Sequence, residues 1–462
     1  MTQRVAGSFR DPAGFLFTRD GVLYRQINSS FAAEYEALKS SGLYDALLEQ
    51  GLLIPHEEVD VPAAEPALAA NVIRPERVAF ISYPFEWSPG QLQAAALATL
   101  DAQRVAMEHG MSLRDATAYN VQFHRGKPVL IDTLSFEPLV EGRPWVAYSQ
   151  FCRHFLAPLA LMKHVDVRLG QLLRVHLDGI PLDLASTLLP GSTKLSPGLA
   201  IHVHSHAASQ RKHADAGAGD AKPRKVGSFS LQAFKGLIES LATAVAKQTW
   251  EPPPSAWRDY YAAKESYSDE SLQHKEELVA KVLADVAPRT VWDLGANTGR
   301  FSRIAAGAGA DVVAVEMDPS AVELNWRQVV DNGDTSVLPL WVDLSNPTPA
   351  QGWAHAERPS ITQRGRVDAA LALALIHHIA IGNNVPLPDI AEWFSQLCDR
   401  LIIEWIPKDD PMVKRLLASR VDIFDDYTQD AFEAAVTPHF AIDTREPVRG
   451  SLRTLYALRR LV

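Results

Sequence analysis

Cysteine is nearly absent from this chain: 462 residues carry two, Cys152 and Cys398. Two residues so far apart allow neither a disulfide framework nor a zinc-type spacing, and a reducing compartment fits them. No uninterrupted apolar run reaches the roughly 20 residues that span a bilayer. The start, Met1-Thr2-Gln3-Arg4-Val5-Ala6-Gly7-Ser8, lacks an apolar stretch of signal-peptide length. Positive charge is not in excess either. The net charge of −10 argues against a generic nucleic-acid binder, which needs a basic surface for phosphate. These absences predict a cytoplasmic protein with no membrane segment. What remains is ordinary globular composition, 47% hydrophobic and 22% charged, in a length that suits two or three domains.

The most informative stretch is Val291-Trp292-Asp293-Leu294-Gly295-Ala296-Asn297-Thr298-Gly299-Arg300-Phe301. An apolar run enters it, a glycine-bearing turn follows, and an amphipathic run (Phe301 to Ala308) leaves it. Strand, glycine turn and helix make a nucleotide-binding crevice at the carboxyl end of a strand. The spacing is Gly-x-x-x-Gly rather than Gly-x-Gly-x-x-Gly, a poor dinucleotide fingerprint by itself. Three further signals follow in order. Asp311 to Glu316 reads as a strand ending on an acid that can accept bonds from ribose hydroxyls. Leu340 to Asp343 reads as a short strand ending on a second acid. Val367 to Ile376 is an apolar strand emptying into His377 and His378.

The order Asp-Leu-Gly-Ala-Asn-Thr-Gly, Val-Glu-Met-Asp, Val-Asp-Leu and Ala-Leu-Ile-His-His resembles a class I S-adenosylmethionine (SAM)-dependent methyltransferase, from about Trp257 onward. The resemblance implies that Asp293, Gly295 and Gly299 line the methionine and ribose part of SAM. Asn297 stands where the commoner form has a middle glycine and belongs to the same turn. Glu316 is implied to hold the ribose hydroxyls, and Asp343 to face the adenine. His377 and His378 sit where the family opens toward the methyl group. One of them could take a proton from the acceptor, since an imidazole titrates near neutrality. A purely structural pair is the alternative. No Asn-Pro-Pro-Tyr motif follows this strand, so an oxygen or simple amine acceptor, on a small molecule or a protein, is the default. Leu401 to Ile406 reads as the fifth strand, with Glu404 a second polar group over the pocket. Phe440-Ala441-Ile442 and Thr454 to Leu458 read as a closing antiparallel pair. The tail, with Glu404 to Pro411 and Asp425-Asp426-Tyr427, resembles bacterial nodulation-associated methyltransferases.

The first half reads differently. Asp20-Gly21 between Gly14-Phe15-Leu16-Phe17 and Val22 to Ile27 predicts a hairpin. A helical pattern covers Phe31 to Glu49, Val78 to Tyr83 reads as a strand, and Pro89 to His109 as a long helix. Asp115, Asn120 five residues later, a turn at Gly126-Lys127-Pro128 and a strand from Val129 ending on Asp132 follow. This order resembles the catalytic-loop and metal-loop pair of kinase-like phosphotransferases. The resemblance implies that Asp115 positions the acceptor hydroxyl and that Asn120 and Asp132 bind Mg²⁺ on the phosphates of ATP. Leu113 replaces the usual His before Arg114, Thr133-Leu134 follows Asp132 in place of Phe-Gly, and no glycine-rich loop lies near residue 20. Arg25 is the nearest substitute for the strand lysine. Turn and strand-end acids in an unrelated α+β domain remain the alternative.

His202, His204 and His206 alternate, which on a strand would put all three on one face; a metal site or a polar edge would both fit. Ala207 to Val226 reads as a tether, its Arg211, Lys212, Lys222, Arg224 and Lys225 either solvated or touching an anionic partner. Ser230 to Lys247 is an amphipathic helix stopped by Pro252-Pro253-Pro254. Trp257, Tyr260, Tyr261 and Tyr267 form an aromatic cluster, either a lid over SAM or a brace on the sheet. The expected architecture is α/β. A kinase-like or other α+β domain covers 1–206 and a flexible linker 207–226. A Rossmann-like seven-stranded methyltransferase sheet with an N-terminal helical lid covers 227–462. The expected function is SAM-dependent methyl transfer. The alternatives are a SAM-binding regulatory protein with a pseudokinase-like module and a bifunctional kinase/methyltransferase.

Overall fold

The computed structural model describes residues 2–208, 229–255, 268–418 and 420–461. The aromatic cluster at 257–267 and nearly all of the 207–226 tether lie outside them. The chain forms two compact units. Met1–Glu251 together with Gly352–Arg358 make the first, and Pro252–Gln351 with Pro359–Val462 make the second. The division expected at 226 therefore falls at 251. The helix Leu231–Ala246 buries Phe234, Ile238 and Leu241 within the first unit, alongside the helix Pro89–Glu108. Gln93 donates to the Val245 carbonyl (2.9 Å) and Arg104 pairs with Glu239 (2.6 Å). The proline run that stops this helix marks the boundary.

The first unit opens with an antiparallel five-stranded sheet in the order β1-β2-β3-β5-β4. Its strands are β1 (Thr2–Arg4), β2 (Gly14–Arg19), β3 (Val22–Asn28), β4 (His56–Glu58) and β5 (Ala69–Pro75). Arg19 pairs with Val22 across a two-residue turn whose Asp20 and Gly21 both take positive φ (50° and 81°), as the Asp-Gly signal predicts. Phe15, Phe17 and Val72 form the apolar face. The expected single helix after it is two, Ala32–Ser40 and Leu43–Glu49, broken at Gly42 (φ 76°).

Val78 to Tyr83 is not a strand. The Ser82 backbone is buried and its partner is a side chain. Gln122 accepts from the Ser82 amide (2.8 Å) and donates to the Ser82 carbonyl (2.9 Å). One glutamine thus supplies both bonds that a neighbouring strand would supply. The strand in this region is β5, earlier in the sequence. Past Pro89–Glu108 come β6 (Met111–Leu113), the hairpin β7 (Val121–His124) and β8 (Lys127–Leu130), and β9 (Phe136–Pro138). The strand expected to end on Asp132 stops at Leu130, and a short 3-10 turn, Thr133–Ser135, separates it from β9. From Tyr148 on, the described elements of this unit are helices joined by turns and loops.

The second unit holds a seven-stranded sheet in the order β12-β11-β10-β13-β14-β16-β15. Its strands are β10 (Thr290–Leu294), β11 (Asp311–Glu316), β12 (Val337–Trp341), β13 (Val367–Ala372), β14 (Cys398–Trp405), β15 (Phe440–Pro447) and β16 (Thr454–Arg460). β10 to β14 run parallel and β16 lies antiparallel between β14 and β15. The strand order reverses between β10 and β13, which opens a crevice beyond their carboxyl ends. The helix Asp269–Val286 seals one face through Val279 and Leu283 against Val291, Phe301 and Leu371.

The Gln122 bridge gives the first test. Gln122→Ala would leave two buried backbone groups unpaired and should destabilise the first unit by about 2–4 kcal/mol. A denaturant melt followed by tryptophan fluorescence would measure it.

Candidate functional site

The glycine turn after β10 has three left-handed residues, Gly295 (φ 79°), Asn297 (φ 52°) and Gly299 (φ 82°). Asparagine is among the few side-chain-bearing residues that take this conformation readily, which explains why it replaces a glycine here. A Cβ at Gly299 would come within 2.4 Å of Asn325 Oδ1, so that position has no room for one. The Gly295 and Ala296 amides both donate to the Val315 carbonyl (2.8 and 2.9 Å), which pins the turn to β11.

Glu316, at the end of β11, is 8% exposed and ties two loops together. Its Oε2 accepts from the Asn297 amide (3.0 Å), and its Oε1 from the Met317 (2.7 Å) and Asp318 (2.9 Å) amides. Three of a carboxylate's roughly four acceptor positions are thus filled by the protein. Burial raises its pKa against these bonds. Asp293 is buried in β10 and accepts from the Ser302 hydroxyl (2.6 Å). Burial pushes its carboxyl up to about 6, against the pull of Ser302 and Lys275. Asp343 lies past the end of β12, two residues later than a strand-end acid, and accepts from the Ser345 amide (2.8 Å) and hydroxyl (2.6 Å).

The fourth strand stops at Ala372, short of the histidines. Ala374 takes a left-handed φ of 52°, and His378 begins a short π-helical turn, His378–Gly382. His377 is 1% exposed, and neither of its ring nitrogens has a hydrogen-bond partner. Its ring centroid lies 3.9 Å from that of His378. Burial, then the neighbouring His378, Arg453 and Lys275 charges, keep His377 well below the usual histidine range. Burial and Arg453 lower His378 to about 4. Both rings are neutral near pH 7.

Lys275 and Arg453 carry no sequence signal: one sits in an amphipathic helix, the other in a polar stretch before β16. Both are fully buried beside Glu404.

In the first unit, the Asp115, Asn120 and Asp132 loops meet. The Arg114 amide donates to the Ser135 carbonyl (2.8 Å), and the Asn120 side chain donates to the Ser135 hydroxyl (3.2 Å). Asp132 takes the Arg25 guanidinium at 2.6 Å, the Leu134 amide at 3.0 Å and the Ser135 hydroxyl at 2.5 Å. Burial alone would raise Asp132, but Arg25 and these bonds outweigh it and hold the carboxyl below its usual range. Asp115 is raised, by burial first and with Asp132 adding. Beside them, Arg358 lies 3.8 Å over the Tyr119 ring, and Arg10 grips Glu357 through two bonds (2.7 and 3.0 Å).

The three alternating histidines do not share a strand face. His202 and His204 sit in a π-helix, Ala200–Ser205, and His206 follows in helical conformation. His202 bonds Tyr148 and Ser240 (2.8 and 2.9 Å), and His204 bonds Ser186 and Thr193 (both 2.9 Å). His206 stacks on Tyr148. Among the described residues, no group of three or more His, Cys, Asp or Glu side chains could hold a metal ion. No helix among them is long and apolar enough to cross a membrane.

A seven-stranded sheet with one antiparallel strand next to its edge, a glycine turn after its first strand and an acid ending its second define the Rossmann-like SAM-dependent methyltransferase domain. The first unit has the layout of a kinase-like fold, sheet first and helices after, with the acid loops between. The chain is 36% identical to nodulation protein NoeA of Rhizobium meliloti (strain 1021) over 472 aligned positions, covering 99% of this chain and 96% of that one. It belongs to the NoeA family. No family model matches it. Solved structures resemble it only in part. The bifunctional kinase-methyltransferase WbdD matches at 16% identity and a TM-score of 0.30, over 45% of this chain and 42% of that one. The magnesium protoporphyrin IX methyltransferase ChlM of Synechocystis PCC 6803 matches at 18% and 0.31, over 44% and 87%.

Asp293 supplies a pH test. A carboxyl raised from 3.8 to about 6 binds its proton more tightly in the folded state. Its contribution therefore weakens the fold as pH rises from about 4 to about 6, and the penalty is complete above that. Asp293→Asn should remove this slope from the unfolding free energy of the second unit, measured across pH 4 to 7.

Proposed function

We propose that the chain transfers a methyl group from SAM to an oxygen or amine of a small-molecule or protein acceptor. The observation that carries this reading is His377, a neutral ring with two unpartnered nitrogens buried at the carboxyl end of β13. An unsatisfied buried polar atom costs about 1–3 kcal/mol, so a retained one calls for a reason in function. The residues fit the cofactor. Gly295 takes a left-handed φ of 79° that any side chain would strain, and Glu316 keeps acceptor capacity for a ribose hydroxyl. In this reading Asp293, Gly295, Asn297 and Gly299 line the methionine and ribose portion, Glu316 takes the ribose, and Asp343 faces the adenine.

SAM supplies an electrophilic methyl carbon with a good neutral leaving group, so the protein's share is alignment more than activation. His377 or His378 accepts the acceptor's proton as its oxygen or nitrogen attacks. Rings lowered this far are weak bases but stay unprotonated in mild acid, which keeps them available. SAM titration by calorimetry on the full chain tests the cofactor: saturable binding is expected, and Gly295→Trp should abolish it. His377→Ala should then lower methylated product from a hydroxyl and amine panel by roughly 10²–10⁴-fold. Absence of SAM binding by the folded wild-type chain would defeat the proposal.

For the first unit, the meeting of Asp115, Asn120 and Asp132 supports a second, phosphotransferase activity with ATP and Mg²⁺. The Arg25 ion pair opposes it, because a cation can reach Asp132 only by displacing a guanidinium already 2.6 Å away. As arranged, the residues do not fit the metal. A pseudokinase-like module that recognises a partner is the reading we favour. ATP with magnesium should show no saturable heat on the wild-type chain; binding that is lost in Asp132→Ala would restore the bifunctional reading. The two buried, free cysteines support a reducing, cytoplasmic setting.

A further inference from the structure

Behind the histidine pair, the second unit buries charges that the transfer reading leaves without a role. Lys275 comes from the helix Asp269–Val286, Glu404 from the end of β14, Arg453 from the residue before β16, and Asp410 from the N-cap of the helix Pro411–Leu417. All four are buried. Glu404 Oε2 takes two donors at 2.8 Å, the Lys275 ammonium and the backbone amide of Ala374. Arg453 grips Asp410 through Nε (2.7 Å) and Nη2 (3.1 Å), and its Nη1 lies 3.9 Å from Glu404 Oε1.

Ala374 is where a carboxylate would matter. It is a non-glycine residue in the left-handed region, immediately after the strand, and such a residue needs its surroundings to hold it there. It begins the loop that sets Leu375 against Gly295 and carries His377 and His378.

We infer that Glu404 is a positioning residue: by accepting the Ala374 amide it holds the exit loop of β13 in its left-handed form and so fixes the two histidine rings in the crevice. Lys275 supplies the counter-charge that lets a carboxylate sit there. A buried ion pair adds little net stability, and this one meets the loop at its left-handed residue, Ala374. The inference deepens the methyl-transfer reading and rests on it for the purpose of the rings. The charges near the rings fit this arrangement. Arg453 and Lys275 both act to lower His377 and Arg453 to lower His378, and the two ring centroids lie 3.9 Å apart.

Two double variants of the full chain isolate the bond from the charge. Lys275→Met with Glu404→Gln removes both charges and keeps an acceptor for Ala374. Lys275→Met with Glu404→Leu removes the acceptor as well. Nitrogen-15 histidine NMR across pH 4.5 to 8 reads the rings, and circular dichroism checks folding. We expect the wild type and the Gln variant to keep His377 and His378 neutral down to about pH 5. In the Leu variant both rings should titrate with midpoints near about 6.5, the value of an exposed ring. Identical behaviour of the two variants, both holding or both releasing the rings, would overturn the inference. If the Leu variant does not fold, Glu404→Asp keeps the charge and withdraws the acceptor by one methylene. It should release the rings in part, and unchanged rings would overturn the inference equally. Calorimetry with S-adenosylhomocysteine on the wild type separates the layers. Absence of binding would sink the transfer reading, and the ring comparison would still decide whether Glu404 holds the loop.

Discussion

A carboxylate with no exposed surface must find compensation inside the protein, and Glu404 is such a group. It stands on β14, between β13 and β16, where both faces of the sheet are covered. The compensation comes from three directions: a lysine on the helix before the first strand, an arginine ahead of β16, and a backbone amide past β13. Elements distant in sequence are thereby tied to one atom pair. Hydrophobic packing alone would tolerate small slides of the helix on the sheet. A fully buried ion pair of 2.8 Å tolerates far less.

The first unit solves the same problem in another way. Asp132 is half-buried, and Arg25 from β3 neutralises it while holding Asp11 at 3.0 Å. The acid loops and the sheet are thus joined through a cation that the protein itself supplies. Where the second unit sets its buried charges near neutral rings, the first closes its polar cluster on itself. The two units therefore differ in what they leave available for chemistry.

The second sheet was readable because parallel strands covered on both faces give continuous apolar runs. Asp311 to Glu316 matches residue for residue. β12 starts earlier than its apolar signal, since Pro339 falls inside it, which an edge strand permits. The apolar pattern of the fourth strand runs on through Leu373 to Ile376, past the strand's end at Ala372, because only the left-handed Ala374 turns the chain there. In the first half, Val78 to Tyr83 carried a strand pattern but lost its ladder to one glutamine 40 residues away. The histidine alternation had the period of a strand, yet the backbone there is helical. The roles of Lys275, Glu357 and Arg453 had no local signal, because their partners lie far along the chain.

The stretch Gly352–Arg358 carries a consequence for how this molecule is made. It is part of the first unit, with Glu357 buried under Arg10 and Arg358 stacked on Tyr119, yet it is encoded inside the second. A ribosome that has finished Glu251 must still add roughly a hundred residues before that stretch exists, about 5–20 s at ordinary elongation rates. Throughout that interval the N-terminal body is a nascent fold lacking one of its own pieces. Its completion is timed by the synthesis of β10, β11 and β12, so the two halves mature in an interleaved order rather than one after the other.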